Sequence, residues 1–376
     1  MRVVILGGSG AMASVVLRDL LEFAPGVSVT LADLRPPAAA PKDPRVRTAA
    51  ADVRDEAATA RLLEGSDVVL NCVTYYWNVP VMRAALAARV PYADLGGLYH
   101  GTMKQFALDP EFRAAGIPAV LGMGSTPGIT NVLAGELARR LDTVEEIHVR
   151  VGSIDRGAAG PLPVPYALDT VLDEFALEPM VFRDGRAEAV PPGSGVEEIE
   201  FPAPVGRVEA FYTLHSEVAM FPRSFPGLRA ASFKVAFEPE FTRKMRFLVD
   251  LGFASRDKLD GGVSPREVLL RLAAQQAQAP TPPSSVPDDC DVLRVDVSGS
   301  KGGKKAALRG EVLALPHAGW GVGAGALDTG VPLSIVGRML ADRTISQPGV
   351  LCPELSVPAG PFFDELAKRG MRARFS

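Results

Sequence analysis

Two groups of residues in this sequence have the types and spacing of working chemistry. Gly8-Ser9-Gly10-Ala11-Met12-Ala13 reads G-x-G-x-x-A directly after the apolar run Val3–Leu6. In that pattern the first glycine permits a tight turn and the second lets a pyrophosphate approach the backbone. The small last residue lets helix and strand pack closely, and the phosphates rest on free N–H groups at the helix start. Asp33 follows about 20 residues on, where a carboxylate accepts from a ribose 2′-hydroxyl. Its charge would repel a 2′-phosphate and so favours NAD. Arg35, two residues later and past Leu34, can stack on adenine or bind that phosphate, which keeps NADP open. Asp52 and Val53 would flank the adenine, and Asn71, Val73 and Thr74 would lie near the pyrophosphate and nicotinamide ribose. The second group holds the proton-handling types: His215 with Glu217, and Asp94 at the end of an apolar run.

The elements that must position these residues are legible from periodicity. Apolar strands are expected at Val3–Leu6, Val27–Ala32, Val46–Ala50, Asp67–Val73, Val90–Leu95 and Ala119–Gly122. Helical spacing falls between them at Ala11–Phe23, Ala57–Leu63, Pro80–Ala88 and Glu111–Ala115. Such alternation predicts an α/β, Rossmann-type, doubly wound parallel sheet, with ligands beyond the carboxyl ends of its strands. Thr74-Tyr75-Tyr76, Asp94–Gly97 and Gly124–Asn131 fall there, the last running into a helix at Val132–Leu141.

Beyond Leu141 the texture becomes strands joined by turns, with strong helices only at Phe241–Leu251 and Pro265–Gln278, so an inserted α+β domain is expected. Ala279–Asp289 reads as a proline-rich loop, Gly299–Lys305 as a hairpin turn and Gly319–Gly325 as a flexible crossing between domains. Helices return at Val331–Ala341 and Phe362–Gly370. The expected division is 1–128 plus 329–376 for the dinucleotide domain and 129–328 for substrate binding and dimerisation.

Composition narrows the class. The 376 residues are 47% hydrophobic and 22% charged with a net charge of −4, which is globular and offers no basic footprint for nucleic acid. Cys72, Cys290 and Cys352 stand far apart, so neither a disulfide framework nor a metal site is expected. No apolar run reaches membrane-span length, and the first strand begins too early for a signal peptide, giving a cytoplasmic expectation.

The G-x-G-x-x-A unit, "DVVLNC", "PYADLGG", "GSTPGITNVLA" and the late "TGVPLSIVGRML" and "GVLCPELSVPAGPFFDELAKRG" together resemble the saccharopine dehydrogenase-like family, in particular its lysine 6-dehydrogenase and saccharopine reductase group. The resemblance implies a dinucleotide domain completed by C-terminal helices, an inserted substrate domain and a homodimer. It also implies reversible NAD(P)-linked oxidation of a C–N bond in an amino acid or its imine. One stretch departs: where lysine 6-dehydrogenases tend to show an Asp-Gly-Leu-like segment, this chain has "FYTLHSEVAMFPRSFPG", Phe211–Gly227. Reduction of another imine or carbonyl metabolite, such as a polyamine precursor, is the alternative; a non-catalytic dinucleotide-binding redox sensor is the other.

Chemistry at a C–N bond needs a base for the amine, a carbon held against the nicotinamide, and acid–base help for water. His215 and Glu217 are the expected pair, sharing one face of a strand so that the carboxylate orients the imidazole. Asp94 is the second catalytic candidate. Tyr75, Tyr76 and Tyr212 are candidates for substrate contact, and Arg223 and Lys234 for binding a substrate carboxylate. His100 and Tyr99 rank lower, and His148 and His317 lack a constellation.

Overall fold

The structure is a computed structural model that describes residues 1–36, 42–157, 161–277 and 287–376. The proline-rich segment 279–286 expected as a loop lies outside the described residues. Six parallel strands begin the chain: β1 (Arg2–Leu6), β2 (Ser28–Asp33), β3 (Val46–Ala50), β4 (Val68–Asn71), β5 (Tyr92–Asp94) and β6 (Pro118–Val120). Eight more follow: β7 (Thr143–Asp155), β8 (Met180–Arg183), β9 (Arg186–Ala189), β10 (Glu197–Glu200), β11 (Arg207–Tyr212), β12 (Ala230–Ala236), β13 (Asp289–Lys301) and β14 (Lys304–Ala314). The C-terminal region adds β15 (Gly349–Leu351) and β16 (Arg372–Phe375).

The first sheet has the order β15-β6-β5-β4-β1-β2-β3. From β1 the chain steps outward through β2 and β3, then returns to build β4, β5 and β6 on the other side. The order therefore reverses beside β1, and the crevice at the carboxyl ends of β1 and β4 is where such sheets bind ligands. The core strands are continuously apolar because both faces are covered: Val3, Ile5 and Leu70 pack into one cluster and Val4, Leu6 and Val69 into the other.

The second sheet runs β10-β11-β12-β7-β13-β14-β16, with β8 and β9 branching from β12. Among the described residues of this sheet only β12 and β7 pair in parallel; the other pairings are antiparallel. Gly302 and Gly303, both at positive φ, make the two-residue turn of the β13–β14 hairpin. The C-terminal segment is shared between the sheets: β15 extends the first beside β6, whereas β16 pairs with β14 of the second.

Helix Ala324–Ala341 ties the domains together. Gly330 lies so close to Val15 of the first helix, Ala11–Phe23, that a Cβ there would come within 2.7 Å of it, and Gly337 meets Leu70 as tightly. The glycine-rich Gly319–Gly325 differs from the flexible crossing expected. Trp320 is buried, its indole donates to Glu22, and Arg18 donates to the carbonyls of Gly319 and Trp320. Those bonds pin the segment to the first helix. Arg369 pairs with Asp19, both fully buried, at 2.7 Å, and Ser334 donates to the same carboxylate.

Three helices are not foreseen in the sequence: Leu98–Phe106, Leu168–Ala176 and Glu217–Ser224. All three bear on the site.

Candidate active site

The glycine turn sits at the crevice beside β1. The amide of Gly8 donates to Ala32, that of Gly10 to Gly7, and Gly7 adopts φ +77 against the Cys72–Val73 backbone. No side chain caps the helix Ala11–Phe23, so its first amides face outward without an intrahelical acceptor. A cleft of about 350 Å³ opens beside them, lined by Gly7, Asp33, Leu34, Asp52, Val53, Val73, Thr74 and, unforeseen in the sequence, Arg54 and Trp77. Asp33 accepts from the amides of Ser9 and Arg35, both at 3.0 Å, so its carboxylate is fixed against the turn. Arg54 grips Asp52 through Nε and Nη2 and holds that carboxyl down to about 2. An uncapped helix start, a backbone-lined turn and a carboxylate at the sugar position fit a dinucleotide.

Asn71 does not open into this cleft. Its side chain is buried, donating to Asn78 and Tyr92 and accepting from the Val73 amide, so it shapes the turn after β4 from behind. Asp94 is also committed. Oδ1 accepts from the amides of Gly96 and Gly122 at 2.9 and 2.7 Å, and Oδ2 from Tyr92 and Gln105 at 2.8 and 2.5 Å. Burial raises its pKa against those bonds. With its acceptor sites occupied, Asp94 clamps the loops after β5 and β6 and has no lone pair directed to a substrate.

His215 and Glu217 do meet, though not on a strand. His215 lies in the loop after β11 and Glu217 opens the helix Glu217–Ser224. His215 Nδ1 and Glu217 Oε2 are 2.5 Å apart, and the imidazole stacks on Phe233 with centroids at 3.7 Å. The other carboxylate oxygen of Glu217 accepts from Thr126 and from Thr130 at 3.2 Å. Ser216 contacts the Gly97 amide and the Thr102 hydroxyl, which docks the pair on the carboxyl ends of β5 and β6. Burial opposes charge on both groups, but each stabilises the other: His215 is raised above the usual imidazole value and Glu217 is lowered. Each group therefore favours the charged form of the other. Among the described residues Nε2 of His215 has no hydrogen-bond partner, which leaves it for a substrate proton.

Around the pair lie carboxylates that the sequence did not single out. Glu174 is buried, accepts from the Tyr166 hydroxyl, and is pushed by burial to about 7. Asp328 accepts from Ser125 at 3.1 Å and shares a hydrogen bond with Asp291. Asp291, raised by burial to about 6, also bonds Ser153. Tyr75 and Tyr76 both donate to Asp173, which pairs with Arg266 at 2.7 Å; Arg266 and Arg256 also hold Asp169. These tyrosines therefore bridge the domains from the end of β4 to the helix Leu168–Ala176.

The remaining substrate candidates fall elsewhere. Arg223 is exposed and stacks on Phe106 at 4.2 Å. Lys234 neighbours Phe233 along β12 and so points to the opposite sheet face from His215. There it pairs with Glu197 at 2.7 Å and covers the ring of Tyr212. Strand alternation, invisible until the buried face is known, separates Lys234 and Tyr212 from the crevice.

Residues 3–120 match the model of the saccharopine dehydrogenase NADP binding domain, and residues 124–371 that of the saccharopine dehydrogenase C-terminal domain. The chain belongs to the saccharopine dehydrogenase family. It is 25% identical over 389 residues to carboxyaminopropylagmatine dehydrogenase of Synechocystis sp., covering 98% of this chain and 96% of that protein. It is 26% identical over 328 residues to carboxynorspermidine synthase of Vibrio cholerae, covering 81% and 76%. Apo saccharopine dehydrogenase (L-Glu forming) from Saccharomyces cerevisiae has the same fold, with a TM-score of 0.73 at 17% identity over 100% of this chain and 99% of that one. This saccharopine dehydrogenase family member is accordingly an NAD(P)-binding oxidoreductase. Among the described residues no helix is long and apolar enough to cross a membrane.

Proposed function

We propose that this protein reduces the imine formed between an amine and an amino-acid-derived carbonyl, or runs that reaction in reverse, with His215 as the proton carrier. The observation that carries the reading is the buried His215–Glu217 pair docked at the carboxyl ends of β5 and β6, with Nε2 lacking a hydrogen-bond partner among the described residues. The printed names of both curated relatives describe an amine bearing a carboxyl-containing substituent, which favours a polyamine-type secondary amine over a simple amino acid.

The nicotinamide, when bound, supplies or accepts the hydride at the C–N carbon. Glu217 fixes the imidazole through Nδ1, and Thr126 and Thr130 fix Glu217. Imidazolium Nε2–H gives its proton to the carbinolamine hydroxyl, which leaves as water and opens the imine. In the reverse direction the neutral imidazole takes a proton from the water that attacks the imine. Burial of the pair excludes bulk water from this exchange.

Asp33 and its fixed carboxylate favour NAD over NADP, with Arg35 as the residue that would select NADP. A homodimer is the proposed assembly, to be tested by sedimentation. The test of function is a screen of amines paired with amino-acid aldehydes or oxo acids, with both reduced cofactors, followed by loss of nicotinamide absorbance. Dinucleotide binding with no turnover on any pair would replace this reading with that of a redox sensor.

A further inference from the structure

Glu174, on the helix Leu168–Ala176, is 4% exposed and forms no ion pair with lysine or arginine among the described residues. It accepts a hydrogen bond from the Tyr166 hydroxyl.

Strand facing brings it to the reaction site. Phe211 of β11 sits opposite Val235 of β12, so the two side chains share one sheet face, and Phe233 points the same way two residues earlier. The ring of Phe175 meets Phe211 edge-on with centroids 5.6 Å apart, which lays its helix on that face. The His215 imidazole stacks on Phe233 on the same face. Glu174, next to Phe175, and His215 therefore occupy one side of the sheet, and each favours the charged form of the other.

The nucleotide domain holds the helix in place. Asp173 accepts from Tyr75 at 2.7 Å and from Tyr76, and it pairs with Arg266 at 2.7 Å and Arg256 at 3.6 Å. Arginine thus compensates Asp173 but not its neighbour Glu174.

The groups facing His215 are Glu217, Glu174 and the uncharged ring of Phe233. Those facing Glu174 are His215, Tyr166, Asp173 and Glu217. Glu217 in turn meets Thr126 and Thr130, and Glu354 feels its charge. Two buried carboxylates thus share one imidazole, and the cluster lacks a positive charge whenever both are ionised. Burial pushes Glu174 up to about 7, while the Tyr166 hydroxyl favours its ionised form.

We propose that Glu174 is a positioning residue for the proton carrier, a second carboxylate that holds the proton on His215, with Tyr166 keeping Glu174 ionised. Glu217 orients the imidazole through Nδ1, and Glu174 adds charge without a hydrogen bond to either ring nitrogen. This rests on the reading of His215 as the proton carrier.

The test is the titration of His215 by NMR of protein carrying isotope-labelled histidine. The chain has four histidines, and His215→Gln assigns the signal. In Glu174→Gln, whose side-chain carbonyl can still accept from Tyr166, the midpoint should fall by about one pH unit, a tenfold loss of proton affinity. Tyr166→Phe removes only a hydroxyl from a residue that is 37% exposed, and should move the midpoint the same way by less. The pH profile of kcat should follow both, with NADH affinity unchanged. A midpoint unmoved or raised in Glu174→Gln overturns the proposal. So does an imidazole that stays charged to the alkaline limit of folding in wild type and variant alike. If Glu174→Gln does not fold, Tyr166→Phe decides by the same criterion. A midpoint that falls while the kcat profile stays put keeps Glu174 acting on His215 and overturns the proton-carrier reading instead.

Discussion

Replacing Glu217 by glutamine separates charge from shape at the reaction site. The amide oxygen can still accept from Thr126 and Thr130, so the loop after β6 stays docked. What is lost is the carboxylate that raises His215 against its own burial. With Glu174 alone left to oppose burial, the imidazole pKa falls and the ring becomes neutral at lower pH. In the imine-forming direction His215 must carry a proton, so the rate falls as pH rises through its folded pKa. In the variant that fall moves to lower pH, and at neutral pH turnover drops about tenfold or more. Removing the imidazole altogether, in His215→Ala, should cost about a hundredfold or more, the usual worth of a positioned acid or base. It also leaves Glu217 buried without its cation, a destabilisation of about 3–5 kcal/mol, so the glutamine variant is the cleaner probe. The assay is the pH dependence of kcat with NADH fluorescence titration alongside, because nucleotide affinity should not change. An unmoved pH profile with wild-type kcat in Glu217→Gln would refute the proton-carrier role.

Four further outcomes are expected. Asp33→Asn should improve NADPH binding relative to NADH by about tenfold, since it removes one charge from the 2′-phosphate position; tighter NADPH binding already in the wild type would promote Arg35 to the selecting residue. Gly10→Val should weaken both nucleotides, because a Cβ there already stands 3.2 Å from the Gly7 carbonyl, and normal binding would make the turn purely structural. Asp19→Asn should lower stability by about 1–3 kcal/mol in denaturant titration, as it removes the charge of one of the two carboxylates on the buried Arg369 guanidinium and leaves Glu365. Glu354 is buried and raised to about 7 from 4.5, so the folded state holds its proton longer than the unfolded state. Its destabilising effect is absent below about pH 4.5 and grows as pH rises towards 7. Glu354→Gln should therefore stabilise by roughly 3 kcal/mol above pH 7 and leave stability in acid unchanged, read as Tm against pH.

The sequence by itself determined the parts of this protein whose cause is local. The apolar β1, the glycine turn, the helix Ala11–Phe23 and Asp33 are contiguous or follow at a fixed interval, and each residue's role comes from backbone geometry within that unit. The His215–Glu217 pair was legible too, because two positions in one short segment can meet whether the backbone there is strand or loop. Tertiary structure decided the rest, through burial and facing. Asp173 and Glu174 gave no sign in the sequence of being buried, because what covers them, Tyr75, Tyr76, Arg266 and Tyr166, comes from other segments. Asp291 and Asp328 lie 37 residues apart in sequence and meet only because the long helix Ala324–Ala341 packs across β13. Asp94 looked free until the loops after β5 and β6 closed on it. Lys234 looked available until the sheet acquired an inside, and β16 crossed to the second sheet because β14 offered an unpaired edge. A residue's type fixes what its side chain can do; which neighbours remove its water fixes whether it does so.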